Sequence, residues 1–367
     1  MDQIFQNGER FRGYVVERLL GNGGLGAVYL VRHELMDRLY AMKILFPEVA
    51  EDNPEYVQRF VREARLAAKI NHPNLVSVFD VGYDDAKGVY YLIMEYADGS
   101  NLRTAIAMGG AMSADEAVRI IASVAKALSA GEPFGLVHRD IKPENIMLEN
   151  DGMVKLVDLG VAKACNTDSL NTVPQTVFGT PNYISPEQAC DSSNVDSRAD
   201  VYSLGVMLFE MLSGKRPYDC NDPRKVLATL LSPAPLPDVR TVAPTVPAPL
   251  AGVVAQMLAK APEQRLSSAS AVLKALSDAG YVSADSDTSR STANVRREEA
   301  DFNFSDFDGR DDGDAPTFET QDVEMQKFVE ASKAKRRRKE LLSQLALPLA
   351  ALAVAIAVLA AAIAYRM

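Results

Sequence analysis

The feature of this 367-residue sequence that most constrains its fold is the string V-H-R-D-I-K-P-E-N-I-M-L at residues 137–148, followed by K-L-V-D-L-G at 155–160. Transfer of a phosphoryl group needs a carboxylate at the attacking hydroxyl, metal ligands beneath the phosphates and cations against the developing charge. Asp140, Asn145, Asp158 and Lys142 supply those types. A charged loop contains any one of them by chance; the whole string at this spacing is a different matter.

Upstream, Y-V-V-E-R-L-L, G-N-G-G-L-G and A-V-Y-L read as two short strands around a glycine-rich turn. Gly21, Gly23 and Gly26 have G-x-G-x-x-G spacing. Glycine is needed where backbone must approach phosphates closely, because a side chain blocks both the turn and the amide contacts. The same spacing serves a Rossmann dinucleotide turn, but there the glycines lead into a helix, and here they lead into strand-like A-V-Y-L-V. A hairpin that merely needs glycine remains a second reading. Further on, Y-A-M-K-I-L places Lys43 in an otherwise apolar strand, where an ammonium needs a partner. Glu63, in the helical stretch R-F-V-R-E-A-R-L-A-A-K-I, is the candidate, since an ion pair would hold the ammonium against two phosphates.

In this order the motifs resemble those of the protein kinases, in particular the bacterial Ser/Thr kinases of eukaryotic type, whose glycine loops often read G-x-G-G-x-G-x-V-Y as here. The resemblance covers residues 12–281 and implies an α+β, two-lobed fold: a small β-rich lobe over about 12–97 and a larger helical lobe over about 98–281. By it, Asp140 is the base that orients the substrate hydroxyl, and Lys142 contacts the transferring phosphate. Asn145 and Asp158 hold Mg²⁺ or Mn²⁺, and Lys43 pairs with Glu63. The resemblance also implies an ATP site of Leu20, the three loop glycines, Val28, Ala41, Lys43, Met147 and Asp158. Met94 is then the gatekeeper, and Glu95, Tyr96 and Ala97 form the hinge that offers backbone hydrogen bonds to adenine. G-T-P-N-Y-I-S-P-E looks like the substrate-docking segment, with Glu187 paired to Arg265 as a structural ion pair. Asp200 resembles the buried helix aspartate that braces the catalytic loop. Two departures are mild: Leu159 makes the metal motif D-L-G, and Ser185 stands where alanine is usual. Lys142, two residues after the aspartate, and Thr180 both fit the Ser/Thr class rather than the tyrosine class.

Composition sets the remaining organisation. With 47% apolar and 24% charged residues the chain can bury a substantial core. A net charge of -10 argues against a nucleic-acid partner, which needs an excess of Lys and Arg on one face. Cys165, Cys190 and Cys220 have neither zinc-ligand spacing nor the count of a disulfide framework. Residues 282–332 are mostly Asp, Glu, Ser, Thr and Asn and read as an acidic disordered linker. A basic flank, 333–340, follows. Within the expected membrane span, 341–365, the uncharged residues 345–364 reach about 30 Å as a helix, the thickness of a bilayer core. The one-sided basic cluster puts the kinase-like domain on the cytoplasmic side, in a bacterial cell membrane.

Arg139 precedes the catalytic aspartate. Kinases with that arginine are commonly switched on when a phosphorylated loop residue pairs with it, so autophosphorylation at Thr172 or Thr176 is expected. The implied partners are ATP, proteins bearing Ser or Thr, phosphothreonine-reading domains drawn to the linker, and a second kinase domain. Three function classes compete: an active kinase, a kinase-shaped scaffold without catalysis, and a dinucleotide enzyme. The scaffold predicts loss of Lys43, Asp140 or Asp158, and all three are present. The dinucleotide enzyme fails on the strand after the glycines.

Overall fold

The computed structural model describes residues 4–158, 182–190, 195–218 and 222–281. The chain divides into two compact units, residues 1–46 with 58–293, and residues 47–57 with 294–367. Of the second, the described part is helix α1 (Pro47–Asp52) and the opening of α2 (Pro54–Ala67). Both lobes lie in the first unit. The expected linker, basic flank and membrane span fall outside the described residues, as do Leu159, Thr172, Thr176 and Thr180. Among the described residues no helix is long and apolar enough to cross a membrane.

The smaller lobe is an antiparallel sheet. Its strands are β1 (Arg10–Phe11), β2 (Tyr14–Asn22), β3 (Gly26–His33), β4 (Leu39–Leu45), β5 (Val78–Asp84) and β6 (Val89–Glu95), in the spatial order β1-β2-β3-β4-β6-β5. The sequences L-Y-A-M-K-I-L and V-Y-Y-L-I-M-E are rich in branched and aromatic residues and nearly all buried, as central strands covered on both faces should be. Residues directly opposed in a ladder point to the same face. Val28 opposes Lys43, which opposes Leu92, while Leu30 opposes Ala41, which opposes Met94. Val28, Ala41, Lys43 and Met94 therefore share one face of the sheet.

The packed region begins earlier than residue 12. Phe5 is fully buried, with its ring edge-on to Phe11 and Tyr29, and Lys87 lies over it. Two aromatic side chains in a polar N-terminal segment are enough to dock it, because each carries a large apolar area.

The larger lobe begins with β7 (Gly99–Asn101) and α3 (Leu102–Gly109), then α4 (Ala114–Gly131). After these come β8 (Ile146–Glu149), β9 (Val154–Leu156), α5 (Pro186–Cys190), α6 (Arg198–Ser213), α7 (Pro223–Leu231), α8 (Ala248–Met257) and α9 (Ala269–Asp278). Strands β7, β8 and β9 form a small second sheet. Side-chain oxygens start several of the helices: Asn101 accepts from the Thr104 amide, Ser113 from Glu116, Asp222 from Arg224 and Ser268 from Ala271. Helix α6 is the axis of the lobe. Every residue from Ala199 to Leu212 is buried, so it shows no polar face and packs on all sides. It ends at Gly214, in the left-handed region at φ 69°.

Gly205 marks the crossing of α6 and α8. A Cβ built there would stand 2.8 Å from the Met257 Cβ. Gly205→Val is expected to lower the stability of the larger lobe by about 1–3 kcal/mol through overpacking, read as a lower Tm in thermal unfolding, while an equally small change at exposed Gly252 leaves Tm in place.

Candidate active site

The site is built on residues 138–145, a loop that the helical core holds from behind. The Asp200 carboxylate on α6, itself buried, accepts two backbone N–H bonds, from His138 at 2.7 Å and from Arg139 at 2.8 Å. Burial pushes the Asp200 carboxyl up to about 6, while the same two N–H groups pull it back toward ionisation. Arg139 sits at φ 63°, in a region costly for a residue with a Cβ. Its carbonyl accepts from Gln188 Nε2 at 3.0 Å, and its guanidinium donates to the Val195 carbonyl at 3.4 Å. The loop is thus pinned on both sides of one strained residue.

That pinning aims Asp140. Its Oδ2 accepts from Lys142 Nζ at 2.7 Å and from Asn145 Nδ2 at 3.3 Å, and its backbone carbonyl accepts from the same Asn145 nitrogen at 2.8 Å. Burial alone would lower the Lys142 ammonium; the Asp140 carboxylate outweighs it and holds the ammonium above its ordinary range. Asn145, in the short turn Pro143–Asn145, also takes the Val157 amide on its carbonyl at 2.8 Å, which sets Asp158 beside the loop. His138 is fully enclosed; its Nδ1 accepts from the Asp140 amide at 3.3 Å, and burial lowers its imidazole to about 4, so it is neutral at pH 7.

Lys43 does not make the expected pair. Its ammonium bonds the Asp158 carboxylate, while Glu63 Oε2 is buried with no hydrogen-bond partner among the described residues. The physical reason is competition between two carboxyl groups for one ammonium. Burial raises Glu63 to about 8, leaving it neutral at pH 7, whereas Asp158, despite its own desolvation, is held below the usual carboxylate range by Lys43. An ammonium gains more from the ionised partner. Asp158, two residues past the end of β9, sits at φ 62° and is, with Arg139, the second non-glycine residue of the site in the left-handed region.

The adenine-site candidates converge on the sheet face that carries Lys43. Val28, Ala41 and Met94 lie there, and Met147 is on β8, opposite Lys155. The hinge residues Tyr96 and Ala97 fall between β6 and β7, outside either ladder. The Glu95 side chain is already engaged, by Lys155 Nζ and by the Ser77 amide at 3.1 Å. Leu20 lies at an irregularity in the β2–β3 register, just before the glycines. Gly21 and Gly23 face open space. Gly26 does not: a Cβ there would lie 1.9 Å from the Ile44 carbonyl oxygen, so this glycine answers to the neighbouring strand.

Asn145 and Asp158 suit a hard cation. The Asn145 amide nitrogen is committed to Asp140, so its oxygen is the end available as a ligand, and Asp158 adds a carboxylate. Among the described residues no three His, Cys, Asp or Glu side chains form a metal cage. Magnesium, which keeps several waters and takes one or two protein ligands beside phosphates, matches so sparse a donor set.

Behind the site, Arg265 is fully buried and spends all five N–H donors. It pairs with Glu187 through two bonds, at 2.6 and 2.7 Å, and donates to the carbonyls of Ala259, Arg198 and Lys260. Its guanidinium also lies over the Tyr202 ring.

A model of the protein kinase domain matches residues 14–276. The chain belongs to the protein kinase family. Its kinase domain is similar to the serine/threonine-protein kinase PknB of Mycolicibacterium smegmatis, 40% identical over 260 residues, and to PrkC of Bacillus subtilis, 36% identical over 263. These alignments cover 70% and 71% of this chain but only 41% and 40% of the relatives, so the chain spans about two-fifths of their length. Among solved structures, the Mycobacterium tuberculosis PknI kinase domain superposes with a TM-score of 0.59 at 30% identity, covering 75% of this chain and 99% of that one.

Three residues of this kinase site went unassigned in the sequence. His138 and Lys155 sit inside the motif strings but carry no chemistry visible from spacing. Gln188 had a readable signal: with Ser185 it forms S-x-x-Q, and the structure shows a capping box. The Ser185 amide donates to Gln188 Oε1 at 3.2 Å, and the Gln188 amide to Ser185 Oγ at 3.4 Å. Serine in place of alanine thus starts α5. The two kinds of loop glycine separate by substitution: Gly26→Ala is expected to cost roughly 1–3 kcal/mol of stability, whereas Gly21→Ala leaves Tm unchanged and weakens ATP binding in calorimetry.

Proposed function

We propose that this chain is a serine/threonine protein kinase that moves the γ-phosphoryl group of ATP to Ser or Thr hydroxyls of proteins. The observation that carries the reading is the Asp140 carboxylate, aimed by Lys142 and Asn145 and set beside Asp158 on a loop fixed by α6. The bacterial relatives named as serine/threonine-protein kinases support the acceptor class at 36–40% identity.

In that reaction Asp140 accepts a hydrogen bond from the acceptor hydroxyl, orients its oxygen toward the γ-phosphorus and takes up its proton as the new oxygen–phosphorus bond forms, while the bond from the γ-phosphorus to the oxygen bridging it to the β-phosphate breaks and ADP leaves. Lys142 stays cationic through its contact with Asp140 and offsets charge on the transferring oxygens. Lys43, on the sheet face, is placed to contact phosphate oxygens once its bond to Asp158 is shared with nucleotide. Asn145 and Asp158 would hold Mg²⁺, which would supply charge neutralisation at the phosphates. Buried neutral His138 fixes the Asp140 backbone and carries no proton in the step.

Signalling from the cytoplasmic face of a membrane, through a membrane span at 341–365, is part of the same proposal. It is supported by the uncharged run 345–364 and the basic residues before it. Activation by phosphate at Thr172 or Thr176, read by Arg139, and recruitment of phosphothreonine-reading domains by the linker complete it. With full-length protein, radiolabelled γ-phosphate and Mg²⁺, transfer to Ser or Thr is expected, and Asp140→Asn should slow it by roughly 10²–10⁴-fold. Undiminished transfer in that variant, or none by the folded wild type with ATP bound, would overturn the reading.

A further inference from the structure

Arg103, in the first turn of α3, stands where four parts of the larger lobe meet. Its Nε donates to Glu144 Oε1 at 3.0 Å, its Nη1 to Glu210 Oε1 at 2.9 Å, and its Nη2 to the Tyr183 hydroxyl. That hydroxyl donates in turn to Glu210 Oε2, and the guanidinium lies 5.7 Å from the Tyr183 ring centroid. One cation therefore serves two carboxylates. Their surroundings differ: the Glu210 side chain, on α6, is 6% exposed, while that of Glu144 is 44% exposed. The acidic notch is closed at its α6 end and open to solvent at Glu144.

The open end lies beside the chemistry. Glu144 belongs to the turn Pro143–Asn145, between Lys142 and Asn145, and both of these bond Asp140 Oδ2. An acceptor whose hydroxyl reaches Asp140 must lay its neighbouring residues along this turn. Tyr183, on the third side, lies two residues before Ser185, which opens the capping box of α5. A pair of carboxylates in such a place is a receptor for a basic side chain, above all a guanidinium, whose forked donors match two acceptors at once. Here the chain fills that receptor itself.

We infer that Arg103 determines substrate specificity: as the built-in counter-ion of Glu144 and Glu210, it denies the notch to arginine and lysine side chains of acceptor proteins. The inference rests on the kinase reading above. Two carboxylates and one guanidinium leave the notch with one negative charge. Without Arg103 it holds two, one of them the buried Glu210, which is costly to leave uncompensated and is best offset by a cation from outside.

The test uses full-length kinase, a neutral serine peptide and a set of its variants carrying one arginine at each position around the serine. Wild type should accept the neutral parent and all arginine variants with kcat/KM values within about 3-fold of one another. Arg103→Gln should favour arginine at one position by about 10-fold, the scale of a charge-assisted hydrogen bond, and adding Glu144→Gln should abolish that preference. An equal loss of rate on every peptide would make Arg103 a purely structural residue and overturn the inference, as would a wild type that already selects arginine. Should Arg103→Gln fail to fold, Glu144→Gln alone decides. It leaves the guanidinium short of one partner and should raise kcat/KM for a peptide with aspartate near the serine; no shift overturns the inference. Phosphorylation of the parent without any shift sinks this inference alone, whereas no phosphorylation of any peptide by wild type sinks the kinase reading with it.

Discussion

The active site depends on one buried carboxylate. Asp200, on a helix with no solvent-facing side, accepts the consecutive amides of His138 and Arg139, and everything that acts on substrate hangs from the next few residues. Both carboxylate oxygens are used, so the loop is fixed in direction as well as position. This offsets the cost of holding Arg139 at positive φ and lets Asp140, Lys142 and Asn145 form a closed set of bonds. The fully packed helix makes the arrangement rigid, because α6 cannot shift without disturbing the core around it.

On the opposite side of the cleft the constraint is electrostatic. Lys43 stands in an apolar strand and faces two carboxyl groups that cannot both be ionised at little cost in such surroundings. In this state Asp158 holds the ammonium and Glu63 is the neutral partner. The sheet register does the rest, placing Val28, Ala41 and Met94 on the face from which Lys43 projects. A folding requirement and a binding requirement meet in the glycine turn, where Gly26 clears the neighbouring strand and Gly21 and Gly23 leave space open.

Much of this was legible in the sequence. The catalytic string, the glycine turn and the lysine strand each carry a local signature, and residues close in sequence, such as Asp140, Lys142 and Asn145, keep their relation when the chain folds. The Glu187–Arg265 and Asp200 contacts span long separations and came through resemblance; the structure has hydrogen bonds between Glu187 and Arg265 and from the loop amides to Asp200. What spacing could not give was the choice among partners. Lys43 bonds Asp158 and leaves Glu63 without a hydrogen bond at Oε2, and which carboxyl group reaches the ammonium depends on tertiary packing. The docking of Phe5 was hidden for the same reason: a polar terminal segment gives no periodicity, and the Phe11 and Tyr29 rings it meets explain it. Arg103 carries no local signature, because its partners Glu144 and Glu210 come to it from distant positions.

The most direct test of this account is the turnover of Asp200→Asn, measured with its thermal unfolding and its affinity for ATP. An amide can accept only one of the two loop N–H bonds and turns a donor toward the other. The account predicts a folded protein with near-normal ATP affinity whose kcat falls by at least about 10²-fold, because the loop loses its aim. Full turnover in a folded Asp200→Asn protein would contradict the claim that the buried carboxylate of α6 positions the catalytic loop.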